Sequence, residues 1–238
     1  MKLEPSIFLM LLGIRISLFL IKLLKRIQNS SLIKRISIPF IPLDLSKLKV
    51  AFIMDGNRRY AKSVNKTNPK ELGLITMKET INFCHKLKIK ELNFYVLSIK
   101  NLQRPESEIS EINSLLSKKE YFNFKLKVIG NLMLLKKEHR KNIKVFVSEN
   151  NKRVKNKELT VNLFICYDES IYYNKDVDLI IRTSNVHRLS GFLVRQAARG
   201  TKIHFLKCMW PEFTYTHFLL SYLIYGLEVF VLEKCKKI

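Results

Sequence analysis

Asp55-Gly56-Asn57-Arg58-Arg59 places one carboxylate, one amide and two guanidinium groups within a single short stretch. The carboxylate is a ligand for a hard divalent cation, and the arginines are forks that fit phosphate oxygens. Gly56 leaves its backbone N–H open to a close anionic neighbour. Comparable chemistry lies in Ser98-Ile-Lys-Asn-Leu-Gln-Arg104 and in Arg182-Thr-Ser-Asn-Val-His-Arg-Leu-Ser190. Taken together, these stretches set one acid among amides, hydroxyls and arginines, which describes a site for a diphosphate with a divalent metal. A lone acid among so many bases suits Mg²⁺, which keeps waters and takes other ligands from substrate phosphates. An ordinary polar strand-to-helix turn remains the alternative for 55–59, because a short acid-Gly-basic pattern is weak. There is no Walker A loop and no G-x-G-x-x-G, which argues against nucleotide folds. His187 reads as a loop histidine rather than a general base.

These stretches need a frame that brings them together. Short apolar runs predict strands over 50–54, 92–98, 126–129, 160–166, 177–181 and 203–208. Helical patterns fall at 71–87, 106–123, 136–153, 189–199 and 215–233, and Pro105 with Glu106, Glu108 and Glu111 suits a helix start. Strand-helix alternation predicts an α/β fold, a mostly parallel six-stranded sheet flanked by helices. The chemical stretches follow the first, second and fifth strands, so a parallel sheet would gather them on one edge. One link is short: about ten residues, 167–176, join the fourth and fifth strands. It is either a stripped-down crossover or a sign that those strands are not neighbours.

At 238 residues, the chain supports one domain with an appendage. We expect a membrane-associating helix and linker over 1–42 and the globular domain over 43–238. Lys+Arg 43 against Asp+Glu 20 gives a net charge of +23 and predicts anionic partners. The lysines are scattered, and recognition-helix, aromatic-basic and zinc patterns are missing, so nucleic acid is not expected. Cys84, Cys166, Cys208 and Cys235 lie far apart without zinc spacing and read as thiols of a reduced cytosolic protein. The apolar run 7–24 is interrupted by Arg15, Ser17 and Lys22. It fits an amphipathic helix lying on anionic lipid, with Lys25, Arg26, Lys34 and Arg35 adding charge, and a single-pass anchor is the alternative. Pro39 and Pro42 mark the linker.

Four blocks in order, Met54-Asp-Gly-Asn-Arg-Arg-Tyr-Ala-Lys62, Phe94 to Pro105, Arg182 to Leu193 and Trp210-Pro-Glu-Phe213, resemble the cis-prenyltransferases. These are the undecaprenyl and dehydrodolichyl diphosphate synthases, and Arg58-Arg59-Tyr60, Ser98-Ile99 and Arg182-Thr-Ser184 tilt the likeness toward the eukaryotic dehydrodolichyl branch. The resemblance implies condensation of isopentenyl diphosphate onto an allylic diphosphate such as farnesyl diphosphate, with new double bonds in cis. It implies that Asp55 binds Mg²⁺ and assists departure of the allylic diphosphate, which Gly56, Asn57, Arg58 and Arg59 cradle. It implies that Tyr60 packs near the isoprenoid and that Asn101 removes a proton or orients the substrate. Ser98 and Arg104 fall among the substrate-binding positions, and Arg182, Arg188 and Ser190 hold the isopentenyl diphosphate. The growing chain would occupy an apolar tunnel fed by residues such as Ile81, Phe83, Leu115, Phe122 and Phe124.

The sequence departs from the family pattern at several points. Pro69-Lys70 stands where Gly-His is usual, Lys66 replaces an arginine, and Lys100 replaces a glutamate. Leu102 replaces an aromatic, Asn185-Val186 replaces Gly-Glu, and Lys202 takes the place of a second acidic metal ligand. Lys66 and Lys70 can still bind diphosphate as point charges. The C-terminal residues 232–238 lack the Arg-x-Gly motif of homomeric members. By resemblance, the chain is then the catalytic half of a heteromer with a homologous subunit resembling the Nogo-B receptor, a homodimer being the alternative. The expected place is the cytosolic face of the endoplasmic reticulum membrane, in dolichol synthesis for protein glycosylation. A degenerate, non-catalytic subunit is the rival reading, which the intact Asp55-Gly-Asn-Arg block opposes.

Overall fold

The computed structural model describes residues 5–29, 45–103, 122–155 and 158–235. They fall into two compact units, one within Ile41–Glu212 and one drawn from Met1–Phe40 and Phe213–Ile238.

The larger unit is built on six strands: β1 (Lys49–Ile53), β2 (Glu91–Ser98), β3 (Lys125–Ile129), β4 (Thr160–Tyr167), β5 (Leu179–Arg182) and β6 (Lys202–Phe205). Every pairing is parallel, in the order β3-β4-β2-β1-β5-β6. The α/β, parallel six-stranded reading of the sequence is therefore the observed one. β1, β4 and β5 are apolar almost throughout because both sheet faces are covered. On one face Phe52 stacks on Phe94 with centroids 5.1 Å apart, and Trp210 lies 5.9 Å from Phe52. The Trp210 indole N–H donates to the Gly73 carbonyl (2.8 Å), which ties in helix α3 (Pro69–Lys86). The other face carries Ala51, Ile53, Tyr95, Phe164, Phe192 and Leu193.

The short link between the fourth and fifth strands is explained by strand order. β4 and β5 are separated by β2 and β1 and are joined without a helix. An extended link reaches about 3.3–3.6 Å per residue, enough to recross the sheet. It is held down by Tyr173, whose ring packs edge-on against Phe164 (5.1 Å) and whose hydroxyl reaches Glu91 Oε1 (3.2 Å). At the opposite edge, Asn151 of helix α4 (Lys137–Arg153) accepts the Leu126 N–H and donates to the Leu126 carbonyl, both at 2.8 Å. It satisfies the open side of β3 as a neighbouring strand would.

Two helical expectations are corrected. A short helix α2 (Asn57–Ser63) follows β1 directly, where only a loop was expected. The helix expected over 189–199 is reduced to α5 (Val194–Ala198), because Ser190, Gly191 and Leu193 adopt positive φ and cannot continue a helical turn. The helix expected over 106–123 lies almost wholly outside the described residues.

In the second unit, α1 (Pro5–Gln28) packs with α6 (Tyr215–Cys235), and the Lys25 ammonium meets Glu228 at 2.7 Å. Ile14, Ser17 and Ile21 are buried, whereas Leu12, Ile16, Phe19 and Leu23 are exposed. Among the described residues, no helix is long and apolar enough to cross a membrane.

Candidate active site

The first, second and fifth strands end on one edge, as parallel pairing requires. Register sets Ile53 beside Arg182, so Asp55 leaves β1 next to the last residue of β5. The Asp55 N–H donates to Thr183 Oγ1 (3.1 Å), and the Thr183 hydroxyl donates back to the Asp55 carbonyl (2.7 Å). The Trp210 backbone N–H donates to the same carbonyl (2.9 Å). Gly56 has φ 104°, and a Cβ there would come within 2.9 Å of the Met209 Cβ, so no other residue fits this turn.

The carboxylate of Asp55 lies between two arginines. Arg182 Nη2 donates to Oδ2 at 2.7 Å, and Arg59 Nη2 lies 3.7 Å from Oδ1. Arg182 is buried and also donates from Nη1 to the Ser190 hydroxyl (3.0 Å) and to the Arg188 carbonyl. Arg59 reaches the Ser184 hydroxyl. Asn57 donates to the Met54 carbonyl (3.1 Å), and its buried Oδ1 has no partner among the described residues. Ser98 accepts the Asn101 N–H (3.1 Å) and so starts the 3₁₀ turn Ile99–Gln103.

A cavity of about 970 Å³ opens at these groups. Asp55, Gly56, Asn57, Arg58, Arg59, Lys70, Ser98, Asn101, Arg182, Arg188 and Ser190 line it. So do Ile81, Phe122, Phe124, Leu126, Val161 and Leu163, which gives the polar mouth an apolar wall. Tyr60 and Lys66 are not in the lining, and Lys66 is exposed. Lys62 lines the cavity instead, because α2 turns it inward one helical turn after Arg58. Phe83 is not in the lining, and Arg104 and Leu115 lie outside the described residues. His187 is exposed and stacks on Phe205 at 4.7 Å.

Sequence reasoning missed Thr183, Gly73 and Tyr95. Thr183 was legible only as part of Arg-Thr-Ser. Gly73 matters because a Cβ would fall 2.5 Å from Asn57 Oδ1.

Among the described residues, no group of three or more His, Cys, Asp or Glu could hold a metal. The donor present, the partly exposed Asp55 carboxylate, fits a hydrated Mg²⁺ that completes its shell with phosphate oxygens. Burial pushes the Cys84 thiol up and the Cys166 thiol to about 11, which leaves both protonated and inert.

Residues 53–171 and 167–227 match the family model for undecaprenyl diphosphate synthases. The chain is 36% identical to a dehydrodolichyl diphosphate synthase from Encephalitozoon cuniculi over 195 residues, 76% of this chain and 71% of that one. It is 26% identical over 235 residues to a human dehydrodolichyl diphosphate synthase complex subunit, covering 79% of this chain and 69% of that one. A solved structure of a probable undecaprenyl diphosphate synthase from Campylobacter jejuni superposes with a TM-score of 0.56 at 26% identity, over 76% of this chain and 94% of that one.

Proposed function

The chain belongs to the cis-prenyltransferase family, and from that premise we propose that it condenses isopentenyl diphosphate onto an allylic diphosphate, with farnesyl diphosphate as the primer. In each cycle a carbon–carbon bond forms between the two substrates, the allylic carbon–oxygen bond breaks, diphosphate leaves and the isopentenyl unit loses a proton. The new double bond is cis, and repeated cycles build a long polyprenyl diphosphate for dolichol and protein glycosylation.

The observation that carries this reading is the single cavity joining the Asp55–arginine mouth to the apolar wall of Ile81, Phe122, Phe124 and Leu163. A diphosphate head with a hydrocarbon tail matches both ends. Gly56, Asn57, Arg58 and Arg59 hold the allylic diphosphate, with Lys70 beside them. Asp55 holds Mg²⁺, which when bound neutralises charge on the leaving diphosphate. Arg59 and Arg182 bracket Asp55 and act where that charge develops. Arg182, Arg188 and Ser190 hold the isopentenyl diphosphate, and Asn101 orients the unit that loses its proton. Tyr60, Lys66, Ser98 and Arg104 complete the proposed set.

The chain acts at the cytosolic face of the endoplasmic reticulum membrane. Exposed Leu12, Ile16, Phe19 and Leu23 of α1, flanked by Arg15, Lys22 and Arg26, support a seat on anionic lipid. It works with a homologous subunit, a reading supported by relatives whose names call them subunits of a dehydrodolichyl diphosphate synthase complex.

The test is incorporation of labelled isopentenyl diphosphate into extractable polyprenyl products, with farnesyl diphosphate and Mg²⁺. It is run on the chain alone and with such a subunit. Faster incorporation with the subunit is expected. Equal rates would leave a self-sufficient homodimer, and no incorporation in either would overturn the reading in favour of a non-catalytic subunit.

A further inference from the structure

Tyr95 lies on β2, three residues before Ser98, with its ring stacked on Phe192 (centroids 4.5 Å apart, 11° between planes) and in the cavity wall. Its hydroxyl oxygen is 3.0 Å from the Tyr167 carbonyl and 3.0 Å from the Ser190 carbonyl. Ser98, three residues on, accepts the Asn101 N–H at its Oγ. The Tyr95 hydroxyl therefore ties β2, the strand that runs into the Asn101 turn, to the Ser190 loop.

The Ser190 loop needs that tie. Ser190 has φ 53° and Gly191 φ 81°, so the loop stays in a conformation that surrounding contacts must hold. Arg182 grips it through the Arg188 carbonyl and the Ser190 hydroxyl, and Tyr95 grips it through the Ser190 carbonyl. Burial pushes the phenol pKa up, so the hydroxyl keeps its proton and its role as donor across the working pH range.

We propose that Tyr95 is a positioning residue for the isopentenyl substrate, fixing the Arg188–Ser190 loop and the Asn101 turn at one mutual spacing. The inference rests on the reading of the site given above, in which Asn101 and the Arg188–Ser190 loop contact that one substrate. A tyrosine present only for its ring would lose nothing on conversion to phenylalanine.

The test compares the full chain with Tyr95→Phe. The KM for isopentenyl diphosphate is expected to rise about tenfold, the usual consequence of losing one buried hydrogen bond, with the KM for farnesyl diphosphate unchanged. Equal KM values for isopentenyl diphosphate, or equal rises for both substrates, would overturn the proposal. Calorimetric affinity for isopentenyl diphosphate alone separates the two readings. If the unaltered chain binds but does not turn over, the proposed reaction fails. Weaker binding by Tyr95→Phe then still supports Tyr95, and equal binding overturns it. An unaltered chain that neither binds nor turns over overturns both. Should Tyr95→Phe fail to fold, Phe192→Leu loosens the stack that holds the Tyr95 ring and is expected to give the same split between substrates. No split there overturns the proposal.

Discussion

Arg182 Nη2 lies 2.7 Å from Asp55 Oδ2, with the arginine side chain 4% exposed and the aspartate side chain 33% exposed. The pair is therefore lopsided: the cation is sunk in the sheet edge and the acid faces the cavity mouth. Removing either partner has different consequences. Asp55→Ala is expected to abolish condensation at saturating Mg²⁺ and to lower the melting temperature without unfolding the chain, since it leaves the buried Arg182 charge without its acid while Ser190 and the Arg188 carbonyl still accept from it. Arg182→Met is expected to cost activity and about 1–3 kcal/mol of stability, because the Ser190 hydroxyl and the Arg188 carbonyl lose their donor. Turnover and thermal melting of both variants check this. Appreciable turnover by Asp55→Ala would remove Asp55 from the metal role.

Gly73→Ala adds a methyl group 2.5 Å from Asn57 Oδ1, beneath the proposed allylic diphosphate cradle. Asn57 must shift, and the Trp210 indole bond to the Gly73 carbonyl shifts with it. Overpacking of this kind costs about 1–3 kcal/mol. The expected result is a higher KM for the allylic substrate with the isopentenyl KM little changed, read from steady-state kinetics.

Stability should fall in alkali. Burial raises the phenols of Tyr95 and Tyr167, the latter to about 12. The folded state then keeps protons that the unfolded chain releases above pH ~10. Their contribution is complete below about pH 10 and is lost as pH rises toward 12, at up to about 1.4 kcal/mol per pH unit for each phenol. Denaturant unfolding from pH 9 to 11.5 checks the sign: Tyr167→Phe should show a shallower decline than the unaltered chain.

The exposed face of α1 gives a binding prediction. Replacing Arg15, Lys22 and Arg26 by glutamate leaves the buried Ile14, Ser17 and Ile21 untouched. Sedimentation with anionic vesicles is expected to drop sharply, since each surface cation contributes about 1 kcal/mol. Undiminished sedimentation would assign membrane attachment to another surface.

Much of this was readable in the residues. Apolar runs located all six strands, and Asp55, Asn101 and Arg182 at their exits do share one cavity. The helix-free link was readable as a sign of non-neighbouring strands, because its length left no room for a helix. Other features could not be read. α2 lacks an apolar periodicity, and its first turn is the motif itself. The positive φ at Ser190, where the expected helix fails to begin, is accompanied by hydrogen bonds from Arg182 and from Tyr95, the latter 95 positions away. The Gly73–Asn57 approach likewise depends on how two helices meet. Such relationships between side chains leave no local periodic signature.

The central position of β1 also governs when the protein can assemble as it leaves the ribosome. β1 emerges early, yet one of its two neighbours is β5, and Asp55 must wait for Arg182, 127 positions later. Lys25 waits longer still for Glu228, 203 positions on. Contacts this distant close slowly. Throughout that interval the apolar residues of β1 and of α1 lack part of their final cover, and apolar surface left open in this way favours aggregation until the second half arrives.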